Sequence, residues 1–230
     1  MRKIINMKKS IILGAIMMAT LVGTAQATLI TYSSGTLNEA IPDGNLVGIT
    51  ESTTISGVPS PSADYTSTIQ NVDVNLDISG GYNGDLYAYL VLQNGSTTTA
   101  MLLNRIGTSG SDSWGNDGSG MDVTLSSSGA LGNIHNAPFA NLTGTYQPDG
   151  VTTLAAFNGL DMNGIWTLYL VNMVSGDPSI LVSWGLDITP TPTTPPIFSV
   201  PEPTTIIAGA LLLLPFGAST MRILRKKRTL

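Results

Sequence analysis

Alternation of apolar and polar residues, one by one, is the feature that most limits how the middle of this chain folds. A period of two is the pattern of a β-strand with one buried face, whereas an amphipathic helix repeats every 3.6 residues. The clear alternating segments are residues 72–78, 86–92, 166–171 and 180–188, and the weaker ones are 47–55, 99–103 and 121–126. The sequence therefore predicts an all-β fold for the middle of the chain.

Turn signals separate these segments. Pairs of small or polar residues that favour tight turns follow or precede the strands, and they are Gly80-Gly81, Asn83-Gly84, Asn94-Gly95 and Asn163-Gly164. Residues 107–120 and 127–150 lack alternation and are predicted as long loops. Seven or eight short strands at this spacing predict a β-sandwich or a jelly roll over residues 28–189.

Residue types that carry much of enzyme chemistry are scarce. The chain has no cysteine, which excludes disulfides, thiolate metal sites and cysteine nucleophiles. Its single histidine, His135, lies in a predicted loop and would be a weak basis for a catalytic triad. Trp166 and Trp184 fall on the apolar side of their strands and are predicted core residues, whereas Trp114 falls in a loop. These observations predict a protein that is not an enzyme.

Charge is distributed unevenly along the chain. Between Thr28 and Ser199 one base, Arg105, stands against fourteen acids, so this region carries a net charge of −13. Such a surface repels nucleic-acid phosphates and attracts divalent cations. Nucleic-acid binding is therefore excluded as a function.

The N-terminus has the three parts of a secretory signal peptide. Arg2, Lys3, Lys8 and Lys9 precede an apolar run over residues 11–22, and Ala25-Gln26-Ala27 fits the small-x-small cleavage pattern. Residues 1–27 are therefore predicted to be removed, which leaves Thr28 as the new N-terminus. The alternative is an uncleaved membrane anchor.

The C-terminus also has an ordered set of parts. A Pro/Thr-rich spacer, residues 190–199, precedes a short motif at 200–203 that contains Pro201, Glu202 and Pro203. Residues 204–221 carry no charge and are predicted as a transmembrane helix, and residues 222–230 form a basic tail. This order, over residues 200–230, resembles the PEP-CTERM sorting signal. The resemblance implies recognition by an exosortase-type sorting enzyme, transient C-terminal anchoring in the inner membrane, and release or attachment at the cell surface. A plain tail anchor is the alternative.

Four motifs in the middle region resemble the P domain, also called P/Homo B, of proprotein convertases and bacterial subtilases. They are Ile41-Pro42-Asp43, Tyr82-Asn83-Gly84-Asp85-Leu86, Leu103-Asn104-Arg105-Ile106-Gly107, and the C-terminal pair Gly164-Ile165-Trp166-Thr167-Leu168 with Ser183-Trp184-Gly185-Leu186. The resemblance covers residues 41–189 and implies a jelly-roll β-sandwich. In most members this domain follows a subtilisin-like protease and supports its folding. The predicted mature chain has no room for a protease domain ahead of Asp43.

The same resemblance implies a set of calcium ligands. The matching positions are Asp43, Asp85, Asn172 and Asp177. Most members have Asp where this chain has Asn172, and His where it has Gly80. Oxygen donors of this kind suit Ca²⁺, although each Asp could instead cap a turn. A second candidate group, in and beside the 107–120 loop, consists of Asp112, Asn116, Asp117 and Asp122.

Together these observations predict an exported protein at the cell surface or in the extracellular matrix, built on one P-domain-like module with a structural or binding role. The expected partners are an exosortase-type enzyme and extracellular polysaccharide or a protease. Calcium is the expected bound ion. The alternative function is an accessory domain that assists a separately encoded subtilisin-like protease.

Overall fold

The computed structural model describes residues 28–62 and 64–193, and the strands in these residues form two sheets. The predicted signal peptide and the predicted sorting signal, with Pro201, Glu202 and Pro203, lie outside the described residues. The strands are β1 Ile30–Ser33, β2 Glu39–Ile41, β3 Ile49–Ile55, β4 Tyr65–Gly80, β5 Leu86–Gln93, β6 Thr97–Asn104, β7 Met121–Ser126, β8 Leu142–Tyr146, β9 Gly164–Asn172 and β10 Ser179–Pro192. Within the described ranges, no helix is long and apolar enough to cross a membrane.

The first sheet has the order β1-β10-β4-β7-β8, and β2 also pairs with β10. Its strands are antiparallel except for β7 and β8, which run parallel. The second sheet has the order β3-β9-β5-β6 and is antiparallel throughout. Helical structure in the described ranges consists of short 3-10 turns at Asn83–Asp85, Ile134–Asn136 and Leu154–Phe157. The predicted all-β class is therefore confirmed.

The inner faces of the two sheets share one hydrophobic core. Trp166 on β9 and Trp184 on β10 are 0% and 2% exposed, which confirms both as core residues. Phe157 packs against Trp166 with ring centroids 5.1 Å apart, and Tyr32 packs edge-on against Trp184 at the same distance. The two tryptophans thus belong to opposite sheets and fill the space between them.

Alternation located all seven of the predicted strands, and the structure adds three more. β1 and β2 are short edge strands with exposed residues, and β8 lies inside the segment predicted as the 127–150 loop. β8 pairs in parallel with β7, and two adjacent exposed residues interrupt its buried positions, so it lacks the alternation that reveals the other strands. No strand interrupts residues 107–120, as predicted.

Strand β10 continues further than the predicted boundary at Thr189. Pro190 and Pro192 pair with Ile69 and Tyr65 on β4, and the register shifts around both prolines. Proline lacks an N–H group, so it is tolerated in a sheet where a bulge or irregularity removes that hydrogen bond. The Thr66 hydroxyl donates to the Thr191 carbonyl, 3.2 Å away, and holds this end of the strand. The spacer therefore begins later than the sequence indicated.

The outer face of the first sheet is acidic. Asp73 and Asp77 alternate with buried residues on β4, Asp122 lies opposite Asp77 on β7, and Asp187 lies opposite Asp73 on β10. Partial burial raises the pKa of Asp77, and the nearby Asp122 carboxylate raises it further. This face is the solvated face that the β4 sequence predicted.

Candidate metal centre

The candidate centre begins at the turn Asn83–Asp85, which leads directly into β5. All three residues are buried, and Asn83 is 0% exposed. The Asn83 amide nitrogen donates to the carbonyls of Gly120 and Ala140, at 3.2 and 3.3 Å. Its side-chain oxygen, Oδ1, has no hydrogen-bond partner. The turn therefore buries an acceptor that no protein donor satisfies.

Asp85, in the same turn as Asn83, has a buried carboxylate. It is 3% exposed, and its Oδ1 atom has no hydrogen-bond partner. Arg105 influences Asp85 electrostatically, but its hydrogen bonds go to main-chain carbonyls: Nε donates to Gly84 at 3.2 Å, and a terminal nitrogen donates to Ser113 at 2.8 Å. A buried carboxylate without a hydrogen bond is costly, which makes this position the centre of interest.

Asn172 lies on the neighbouring strand, opposite Leu86, at the end of β9. It is fully buried, and its amide nitrogen donates to the Asp177 carbonyl at 2.9 Å and to the Ser179 hydroxyl at 3.5 Å. Its side-chain oxygen is a third buried acceptor without a partner. The Met173 N–H donates to the Asp85 carbonyl at 2.9 Å and ties the two strand ends together.

Asp43 and Asp177 complete the acidic surroundings. The Asp43 carboxylate accepts a hydrogen bond from the Gly176 N–H at 2.8 Å, which joins the loop before β3 to the loop after β9. Burial raises the pKa of Asp85, Arg105 acts in the opposite direction, and the Asp177 and Asp43 carboxylates raise it further. Among the charged groups, Arg105 therefore has the largest influence on Asp85, and the two carboxylates oppose it.

The structure thus brings Asp43, Asp85, Asn172 and Asp177 to one end of the two-sheet fold. Asn83 joins them, although the sequence marked it only as part of a turn. Its signal was weak: an asparagine before a glycine is ordinary turn chemistry, and only the fold shows that its oxygen is buried and unpaired.

The donor set is suited to a hard cation. One carboxylate oxygen and two amide oxygens are buried without partners, and Ca²⁺ takes carboxylate, amide and backbone oxygens as ligands. Among the described residues, no group of three or more His, Asp or Glu side chains lies close enough to hold a metal ion. A site here would accordingly depend on Asn83 and Asn172 as well as on Asp85.

The second candidate group is used differently. Asp112 accepts hydrogen bonds from the Trp114 and Gly115 N–H groups at 3.0 and 3.1 Å. Asn116 accepts from the Gly118 N–H at 2.9 Å, and Asp122 faces outward on β7 opposite Asp77. The oxygens of Asp112 and Asn116 therefore stabilise the loop itself.

His135 links two loops through contacts of both its ring nitrogens. Its Nδ1 atom lies 2.7 Å from the Asp149 carboxylate, and its Nε2 atom lies 2.9 Å from the Thr108 carbonyl. In a catalytic triad the second ring nitrogen faces a nucleophilic hydroxyl, whereas here it faces a main-chain oxygen. The contacts of His135 with Asp149 and Thr108, which the sequence did not predict, join the 107–120 loop to the segment before β9.

Comparison with known proteins identified no matching family model and no matching curated protein. Among solved structures, the Aeromonas sobria serine protease in complex with the chaperone ORF2 aligns at 16% identity with a TM-score of 0.42, over 71% of this chain and 27% of that chain. The serine protease of Aeromonas sobria by itself aligns at 15% identity with a TM-score of 0.41, over 72% and 28%. This chain therefore spans little more than a quarter of those proteins, and similarity at this level does not establish a shared fold.

Proposed function

We propose that this chain is an exported, non-catalytic surface or matrix protein whose P-domain-like jelly roll has a structural or binding role and is stabilised by calcium. The main support for calcium is the buried carboxylate of Asp85, whose Oδ1 atom has no hydrogen-bond partner. This atom lies at the same end of the fold as the unpaired side-chain oxygens of Asn83 and Asn172. The His135 ring, held between a carboxylate and a carbonyl, supports the non-catalytic part.

Calcium fits this site for an electrostatic reason. Asp85 is a buried carboxyl group near two further carboxylates, Asp43 and Asp177, and a bound cation would add to the favourable effect of Arg105 and offset that repulsion. Asn83 and Asn172 would supply neutral oxygens, and Asp85 the charged one. With few charged ligands the affinity is expected in the range of extracellular modules, a Kd of roughly 10⁻⁴–10⁻³ M.

We expect calcium to reverse the order in which the wild type and Asp85→Asn melt. At a calcium concentration one hundred times Kd, binding adds about 2.7 kcal/mol to the free energy of unfolding, and the melting temperature rises by about 5–10 °C relative to chelator. Asp85→Asn removes a buried, unpaired charge, so in chelator this variant should melt above the wild type. In calcium it should melt below the wild type, because the charged ligand is gone. Differential scanning calorimetry measures both orders.

Two controls separate site binding from general charge screening. Asp122→Asn removes an exposed acid from the outer face of the first sheet, and its calcium response should equal that of the wild type. Magnesium at equal ionic strength should raise the melting temperature less than calcium does, since Mg²⁺ requires a stricter octahedral geometry. Equal shifts with both ions, or an undiminished calcium shift in Asp85→Asn, would reject the site.

Export and sorting make a separate prediction. If the sorting enzyme reads the Pro-Glu-Pro motif, Glu202→Ala should leave unprocessed, membrane-held protein in the producing cell, because the apolar segment 204–221 remains intact. Cell fractionation with immunoblotting measures the processed fraction. Unchanged processing in Glu202→Ala would reduce the C-terminus to a plain anchor.

The accessory-domain alternative rests on the sequence resemblance to P domains. This alternative predicts that a separately encoded subtilisin-like protease reaches its active form only when this chain is co-expressed. Protease activity with and without co-expression distinguishes the two functions. A gain of protease activity would favour the accessory role over the matrix role.

A further inference from the structure

The outer face of the second sheet has no charged side chain. Fifteen residues point outward from its strands, as the alternation and register place them: Thr50, Ser52 and Thr54 on β3; Ile165, Thr167, Tyr169 and Val171 on β9; Tyr87, Tyr89, Val91 and Gln93 on β5; and Thr97, Thr99, Met101 and Asn104 on β6. We call this surface the neutral face.

The neutral face differs in charge from the outer face of the first sheet. Residues 28–199 contain fourteen acids, and the outer face of the first sheet carries Asp73, Asp77, Asp122 and Asp187. The two outer faces thus differ sharply: one is acidic and the other is uncharged. An exposed sheet face without charge needs an explanation beyond solubility, because charged residues are the usual means of keeping such a face in water.

Hydroxyl and amide groups cover most of the neutral face. Eleven of its fifteen residues carry one of these groups, and the aliphatic side chains are those of Ile165, Val171, Val91 and Met101. The Ser52 and Thr167 hydroxyls are hydrogen-bonded to each other at 2.8 Å. The face therefore offers many neutral donors and acceptors in the regular rows of a sheet.

Three tyrosines form a fixed aromatic group on this face. The rings of Tyr89 and Tyr169 stack with centroids 4.6 Å apart, and Tyr87 meets Tyr89 edge-on at 6.2 Å. The Tyr169 hydroxyl donates to the Leu46 carbonyl at 2.8 Å, which limits its movement. Burial raises the pKa of Tyr89, and the neighbouring Tyr169 and Tyr87 raise it further, so this phenol is neutral at physiological pH. Rigid tyrosines give a large amphipathic contact at a low entropic cost.

We propose that the neutral face binds a neutral polysaccharide chain. Such a chain presents hydroxyl groups and apolar ring faces without charge, which matches rows of hydroxyls around a tyrosine group. This inference deepens the binding role proposed above and rests on it.

Charge argues against other occupants. A polyanionic glycan would be repelled by a body of net charge −13 and would meet no cation on this face. A cationic partner would bind the acidic face of the first sheet instead. A second copy of this chain suits the face less well, since homodimer interfaces are more apolar than the rest of a protein surface, whereas eleven of the fifteen residues here carry a hydroxyl or amide group.

The face also has defined limits. The loop residue Gly150 lies against Met101, and the Met101 N–H donates to the Thr152 carbonyl at 3.0 Å, so β6 is covered at that point. At the other end, Val171 is 3% exposed and packs near Gly48. The open part of the neutral face therefore contains Thr50, Ser52, Thr99 and the three tyrosines. Further along β9, Ile165 is 44% exposed.

The experiment uses the full chain, purified in detergent, with defined polysaccharides as probes. Affinity electrophoresis with dextran and pull-down on cellulose test neutral glycans, and alginate tests an anionic one. Thr50→Glu and Thr99→Glu each place a charge on an exposed position of the neutral face without removing a buried group. Thr31→Glu makes the same change on β1 of the first sheet and is the matched control.

The expected result is retention by a neutral polysaccharide that weakens at least about tenfold in Thr50→Glu and Thr99→Glu, with the melting temperatures of these two variants close to that of the wild type. Retention should be unchanged in Thr31→Glu, even if the new carboxylate opposite Asp187 lowers the melting temperature of that variant. Three results would overturn the proposal: no retention by either neutral probe, equal or stronger retention by alginate, or a dimer in sedimentation velocity that the two face variants dissociate. The calcium reversal at Asp85 is measured independently. If it fails while glycan binding holds, the calcium part alone is rejected, and the opposite pattern rejects the neutral-face site alone.

Discussion

Replacing Trp166 with alanine is expected to lower the free energy of unfolding by about 3–5 kcal/mol, a large share of the stability of a domain this size. Trp166 is fully buried on β9, packs against Phe157 at 5.1 Å, and donates its ring N–H to the Met162 carbonyl at 3.0 Å. Truncation would leave a cavity between the sheets and an unpaired carbonyl. Urea denaturation at a fixed calcium concentration measures the change.

Trp114→Ala is the matched control for this substitution. Its side chain is 62% exposed in the 107–120 loop, so its loss should change the free energy of unfolding by no more than about 0.5 kcal/mol. A loss below about 1 kcal/mol for Trp166→Ala would mean that β9 does not face the core in this register.

The contrast between these two tryptophans shows what the sequence could predict. Strict alternation around Trp166 and Trp184 reports one-sided burial, which is a local property of a strand. β1, β2 and β8 escaped prediction because they are only 4, 3 and 5 residues long and contain few buried residues. Segments this short leave little local pattern.

The residues of the candidate metal centre were likewise only partly predictable from the sequence. Motif resemblance pointed to Asp43, Asp85, Asn172 and Asp177, and the hydrogen bonds place all four at one end of the fold. It did not point to Asn83, because an unpaired buried oxygen arises only when a turn is covered by other loops. In this case the covering segments contain Gly120 and Ala140, whose carbonyls accept from the Asn83 amide nitrogen and leave its oxygen without a donor.

The neutral face could not be predicted from any one strand. Thr50 and Thr99 look like ordinary solvated strand residues in the sequence, and each strand holds only three or four outward positions. Their lack of charge becomes informative only when register sets them beside the tyrosines of β5 and β9.

Gly48→Ala is expected to lower the free energy of unfolding by about 2–5 kcal/mol, for two reasons that add. Gly48 has a φ of +63°, a conformation that costs alanine roughly 1–2 kcal/mol. An added Cβ would also lie 2.3 Å from the Leu170 carbonyl oxygen and 2.7 Å from a Val171 methyl carbon. Leu170 pairs with both β3 and β5, so its backbone cannot move aside without disturbing the second sheet.

Gly57→Ala separates the two causes. Gly57 has a φ of +74°, yet an added Cβ there would meet no atom within 4 Å. It should therefore show only the conformational cost of roughly 1–2 kcal/mol, and the difference between the two variants measures the steric conflict with β9. Because Gly48 ends the loop that carries Asp43, Gly48→Ala should also weaken the calcium response, whereas Gly57→Ala should leave it intact. Equal losses of stability in the two variants would show that Gly48 is not pressed against Leu170.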